Sequence, residues 1–203
     1  MPIAESLAAP PIRTTEPAWD IARLFPDQGQ WSEDEYLALD TNHLIEFSHG
    51  IVEVLPIPSD KHQSIVGYLY TVLLVFARQI QGKVLFSPLR VRLWPGKIRE
   101  PDLIFLASAT DPRRQNQLWT GADLVVEVIS PDDPDRDLVT KRREYAQAGI
   151  PEYWIVDPRT ETILVLHLAG ASYRERRFGR GEQAISATFP ALVVDVSATL
   201  DAV

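Results

Sequence analysis

The sequence predicts an α/β protein with helices packed around a mixed β-sheet, and three observations carry that prediction. Apolar residues recur at helical spacing through Ile65, Leu69, Leu73, Phe76 and Ile80. Short apolar runs follow it: Val84-Leu85-Phe86 with the alternating residues 89–94, then Leu103-Ile104-Phe105-Leu106, then Leu124-Val125-Val126-Glu127-Val128-Ile129. A second helical stretch at residues 135–148 then leads into Glu152-Tyr153-Trp154-Ile155-Val156-Asp157. The order helix, strand, strand, strand, helix, strand calls for layers of helix on sheet.

Each element has its own local reason. Pro2, Pro10, Pro11, Pro17 and Pro26 interrupt residues 1–30, which show no sustained apolar period and read as an extended arm ahead of one domain at 31–203. Ser32 and Glu35 form a capping-box pattern that opens a short helix ending near Asp40. Leu44-Ile45-Glu46-Phe47 and Ile51-Val52-Glu53-Val54-Leu55 flank Ser48-His49-Gly50, a hairpin signal. Pro58-Ser59-Asp60 punctuates the chain before the long helix, which stops near Gly82. Residues 89–94 alternate apolar with Arg90 and Arg92, and Pro95-Gly96 turns this strand into the one headed by Asp102. Residues 107–121 read as a polar connection. Pro131 and Pro134 close the strand of Glu127, and the following helix starts with Asp135 and Asp137 and stops at Gly149. Residues 163–168, 173–178 and 192–196 form an antiparallel extension, and no internal repeat is present.

Composition narrows the functional classes. The chain has 203 residues, a 45% hydrophobic fraction and no cysteine, which excludes disulfides, thiolate metal sites, iron–sulfur clusters and cysteine nucleophiles. Residues 1–5 lack the pattern of a signal peptide, and no apolar run approaches the length that crosses a bilayer, so the expectation is a cytoplasmic protein with no membrane partner. A net charge of −8 argues against coating nucleic acid by bulk electrostatics. That charge is uneven: residues 1–60 carry 2 basic and 11 acidic side chains, residues 83–143 carry 11 basic and 9 acidic. The middle of the chain can therefore meet phosphates locally.

Chemistry concentrates at Glu127. An ionised carboxylate inside a buried strand loses several kcal/mol of hydration unless a cation or donors replace the water. Asp102 heads a neighbouring apolar run, and Lys141 follows in the next helical stretch. Two acids and a lysine suit a phosphodiester-cutting site, with Asp102, Glu127 and the Val128 carbonyl as hard oxygen ligands for magnesium or manganese. Lys141 would orient water or balance transition-state charge. The alternatives are plain: Arg90, Arg92 or Arg99 would pair with Glu127, and Lys141-Arg142-Arg143 would be a solvated helix face.

Arg99-Glu100-Pro101-Asp102, the run 124–131, Lys141 with Tyr145, and Gly149-Ile150-Pro151-Glu152-Tyr153-Trp154-Ile155-Val156-Asp157-Pro158 closely resemble a large bacterial family of restriction-endonuclease-like proteins within the PD-(D/E)XK nuclease superfamily. The resemblance runs from about Trp31 to Val196. It implies a restriction-endonuclease-like α-β-β-β-α-β core extended by extra strands at both ends, a divalent metal, and DNA as substrate. Asp102 matches the first acid and Glu127 the second. Ile129 departs from the superfamily pattern, which expects lysine there, and Lys141 is the matching position in this family. Glu46 and His62 match further polar positions that would face the metal site; otherwise they are a hairpin acid and a helix-start residue exposed to solvent. A nuclease of this kind would suit a homodimer, since two cuts on antiparallel strands fit a two-fold pair. The acidic total and Ile129 fit instead a catalytically silent module of the same shape that binds nucleic acid or protein.

Overall fold

The computed structural model describes residues 26–39, 43–131 and 133–203; the first 25 positions of the expected arm and the expected helix end at Asp40 lie outside these. Ser32 and Glu35 form the capping box of α1 (Glu33–Leu37): the Ser32 hydroxyl accepts from the Glu35 N–H, and the Glu35 carboxylate accepts from the Ser32 N–H at 2.8 Å. The helix turns Tyr36 inward, stacked on Phe47 and covered by the Arg90 guanidinium. β1 (Ile45–Ser48) and β2 (Ile51–Val54) pair across His49 and Gly50, both at positive φ, as a two-residue hairpin with native twist requires. Gly50 is needed there, because a Cβ would lie 2.6 Å from the Gly29 carbonyl oxygen. On the outer side of β2 the Gln28 carboxamide both donates to the Val52 carbonyl at 2.8 Å and accepts from the Val52 N–H at 2.9 Å.

α2 (Asp60–Ile80) is capped by Ser59 and buries the stripe Ile65, Leu69, Leu73, Phe76 and Ala77. Contrary to the expectation that no segment is long and apolar enough to cross a bilayer, α2 meets that measure by length and composition. Its stripe lies against the sheet, which is how a core helix uses such residues.

The strands that follow divide between two sheets. β3 (Lys83–Phe86), β6 (Leu103–Leu106), β8 (Leu124–Val128), β9 (Glu152–Asp157), β10 (Thr162–Ala169) and β11 (Ser172–Gly179) make a six-stranded mixed sheet in the order β11-β10-β9-β8-β6-β3. The β8–β9 pair is parallel, because a helical crossover joins them, and the other pairs are antiparallel. β4 (Arg90–Trp94) and β5 (Lys97–Arg99) leave that sheet and join β1, β2 and β7 (Leu118–Trp119) in a second one, ordered β2-β1-β5-β4-β7. Residues 89–94 therefore do not turn directly into the strand of Asp102. Lys97-Ile98-Arg99 intervenes, a strand too short and too charged to read as one, and β7 occupies the stretch expected to be only a connection.

The second helical stretch begins with a π-helical segment (Arg136–Lys141) and continues as α3 (Arg142–Gln147). It packs on the sheet face opposite α2, so both faces of the sheet are covered and β9 sends Trp154 and Val156 to one side, Tyr153 and Ile155 to the other. β12 (Gln183–Ile185), β13 (Val193–Asp195) and α4 (Val196–Leu200) close the α2 side. The fold is mixed α/β with the expected helix, sheet and helix layers.

Candidate active site

β6 and β8 are antiparallel neighbours with Leu103 opposite Val126, so Asp102, just ahead of β6, meets the end of β8. The Val128 N–H donates to Asp102 Oδ2 at 2.7 Å, and the Asp102 N–H donates to Glu127 Oε2 at 3.4 Å. The two acids are thereby registered by backbone on both sides. His62, in the first turn of α2, brings Nε2 to 3.1 Å from the Val128 carbonyl oxygen and 3.2 Å from Asp102 Oδ2. Burial works against its proton, but the adjacent Asp102 carboxylate outweighs burial and raises its pKa.

Glu127 is 3% exposed. Its Oε1 accepts from the Tyr145 hydroxyl at 2.7 Å and lies 2.9 Å from Lys141 Nζ. None of Arg90, Arg92 or Arg99 takes that place: Arg90 pairs with Glu100, Arg92 with Glu33, and Arg99 with Glu46 and Glu144. Lys141 is buried rather than on a solvated face, because the π-helical segment turns Asp137 and Lys141 inward together, with Nζ 3.0 Å from Asp137 Oδ1. Burial favours losing the lysine proton, yet Glu127 and Asp137 outweigh it and raise the pKa. On the carboxyl groups burial acts in the opposite direction. Burial pushes Glu127 up to about 8 despite Lys141, with Asp137 and Asp102 adding to the rise, and burial also raises Asp137. Tyr145 is pushed well above its ordinary value by burial and remains a donor.

Behind Lys141 lies a second set of charges. Glu46 is fully buried, not a surface acid; it is paired with Arg99 and Arg136 and lies 3.9 Å from Lys141 Nζ. Burial opposes its charge, but Lys141, Arg99 and Arg136 prevail and hold its pKa near about 2. Glu144 accepts from Arg99 Nε at 2.8 Å and pairs with Lys97 at 2.7 Å, while Glu53 takes Arg136 at 2.7 Å.

A cavity of about 580 Å³ opens over His62, Asp102, Glu127, Val128, Asp137 and Lys141, with Glu46 outside its lining. The structure thus brings together five of the six expected residues and places the sixth one layer back, against Lys141. Ile129 is in the core, its N–H donating to the Val156 carbonyl, and Lys141 reaches Glu127 from the helical segment instead. Sequence reasoning missed Asp137, Arg99, Arg136 and Glu144, and gave Tyr145 no role. The one available signal was the four-residue spacing of Asp137 and Lys141.

Among the described residues no three His, Cys, Asp or Glu side chains group closely enough to form a metal cage. Magnesium does not need one, since it binds through one or two carboxylates and keeps several waters. Asp102, Glu127 and the Val128 carbonyl are hard oxygen donors, and three carboxylates face Lys141 and the His62 ring, a surplus of negative charge that a divalent cation would relieve. The residues present fit such an ion.

A family model named Uma2 and described as "Putative restriction endonuclease" matches residues 33–197. The crystal structure of a "putative nuclease belonging to DUF820" from Anabaena variabilis ATCC 29413 is similar in fold, with a TM-score of 0.69 and 20% identity over 84% of this chain and 99% of that one. No curated protein matches the chain.

Proposed function

The chain belongs to the Uma2 family, and we propose that it is a nuclease that hydrolyses phosphodiester bonds in DNA with a magnesium or manganese ion. The observation that carries this reading is the convergence of Asp102, Glu127 and the Val128 carbonyl on one cavity with a buried ammonium 2.9 Å from Glu127. Those three groups would hold the ion, which supplies charge neutralisation at the phosphate and a more acidic bound water. Lys141 keeps its proton under the pull of Glu127 and Asp137, so it acts as a fixed positive charge beside the reacting phosphate and not as a base. Tyr145 and Lys141 fix one oxygen of Glu127 and the Asp102 N–H meets the other. His62 Nε2 lies between Asp102 Oδ2 and the Val128 carbonyl oxygen and ties the two together.

The test begins with a calorimetric titration of manganese into the wild type and into Asp102→Ala and Glu127→Ala, each checked for folding by circular dichroism. The reading expects submillimolar binding by the wild type that both substitutions remove, and divalent-ion-dependent cleavage of a DNA panel that disappears with it. Cleavage that survives Asp102→Ala would sink it.

A further inference from the structure

We propose that the apolar wall of this cavity is a slot for an unpaired nucleobase stacked on Phe86, so that the substrate carries unpaired nucleotides beside the phosphodiester that is cut. The inference rests on the nuclease reading and narrows its substrate class.

Besides its acids, the cavity is lined by Val54, Leu55 and Pro56, from β2 and the linker after it, and by Val66 and Phe86, from α2 and β3. Phe86 is opposite Leu103 in the β3–β6 ladder, and the next residue, Ser87, donates its N–H to the Asp102 carbonyl at 3.1 Å. The aromatic ring and the first acid therefore stand on adjacent backbones, a separation fixed by the sheet. Phe86 is 51% exposed, although it shares a strand face with fully buried Val84, and its ring is braced edge-to-face by Tyr70 with centroids 5.1 Å apart. Val54 is 65% exposed. A half-exposed, held aromatic and an exposed aliphatic lining one cavity form a surface that core packing does not explain.

Charge narrows the occupant. The acids around the cavity outnumber Arg136 and Lys141, so phosphate contacts supply little of the grip here and contact with a base has to supply more. Stacking on an aromatic ring gains its energy from the base rather than the phosphate and accepts any base. A base inside a duplex is already stacked on both faces and cannot reach Phe86 unless it is extruded, whereas an unpaired base offers its face at once. A cavity of about 580 Å³ is in the range that holds a small ligand such as a nucleotide.

The test measures binding and cleavage separately, with calcium replacing magnesium in the binding arm. The probes are a short single-stranded DNA with one 2-aminopurine and the blunt duplex of the same sequence. The expected result is single-strand binding at least about tenfold tighter than duplex binding, with the fluorophore quenched by the protein. Phe86→Ala should weaken it by roughly tenfold to a hundredfold, and Phe86→Trp should restore it. Val54→Asp, at a more exposed position, should weaken it too and guards against a folding defect at residue 86. Equal affinity for both probes, or affinity unmoved by Phe86→Ala and Val54→Asp, overturns the proposal. So does a change in sedimentation on Phe86→Ala with oligonucleotide affinity unchanged, which would assign the wall to a second copy of the chain. If single strands bind through Phe86 but no nucleic acid is ever cut, the slot stands and the nuclease reading fails; if a blunt duplex is cut without single-strand binding, the reverse holds.

Discussion

Two buried charge clusters meet between Glu46 and Lys141, and they differ in balance. On one side Arg99, Arg136 and Lys97 face Glu46, Glu144 and Glu53, base against acid. On the other, Asp102, Glu127 and Asp137 crowd around Lys141 and His62. Burial acts on both, yet the outcomes oppose each other: Glu46 is held ionised with a pKa near about 2, whereas Glu127 is pushed up to about 8. A balanced cluster behaves as an internal strut that ties the five-stranded sheet to the helical segment after β8. An unbalanced one is built at the expense of stability, and such surplus charge marks groups arranged for chemistry.

The largest effect should come from breaking the balanced side. Arg99→Met leaves Glu46 and Glu144 buried without their main partner and should cost about 3–5 kcal/mol, read from urea denaturation. Glu127→Gln, on the unbalanced side, should leave stability unchanged or raise it while weakening manganese binding about a hundredfold or more; a comparable loss of stability would erase the distinction between the clusters. The pH dependence separates them by sign. Glu127 has a raised pKa, so its contribution is fully present below the ordinary carboxylate range and is lost as pH rises through about 8. Glu46 has a lowered pKa, so its contribution is present above that range and is lost as pH falls through about 2. The unfolding free energy of the metal-free protein, read from urea denaturation, should therefore fall from about pH 5 to pH 8, with Glu127 alone supplying a slope of at most about 1.4 kcal/mol per pH unit. His62, Asp137 and Glu100 contribute with the same sign, so the difference between wild type and Glu127→Gln isolates the glutamate, and added manganese should flatten the wild-type curve. The smallest change is Tyr145→Phe, which removes one donor from Glu127 and should cost about 1 kcal/mol; nuclear magnetic resonance of the Glu127 carboxyl should show its titration moving further up.

The unbalanced cluster was the more legible of the two. Glu127 announces itself because a charge interrupts an apolar strand, and Asp102 because it heads the next one. Short continuous apolar runs also gave most of the six-stranded sheet, since both its faces are buried. The balanced cluster had no such signal. Arg99 and Glu46 lie in short strands where charged residues read as surface, and only the second sheet, with its three-residue β5, carries them inward. The π-helical segment was equally hidden, because three consecutive basic residues, Lys141-Arg142-Arg143, read as a solvated charge run whichever one of them turns inward. Burial there follows from Asp137 and Glu127 waiting for the ammonium, a tertiary fact that local spacing does not encode.

Gln28 also does something its sequence position gives no hint of. Its carboxamide donates to and accepts from Val52 as a peptide unit of a further strand would. The rim of the five-stranded sheet is thus stoppered by a side chain, which ends the ladder without offering backbone for another chain to extend. Gln28→Ala would uncork that rim, and the first sign should be self-association at high concentration rather than any loss at the acids.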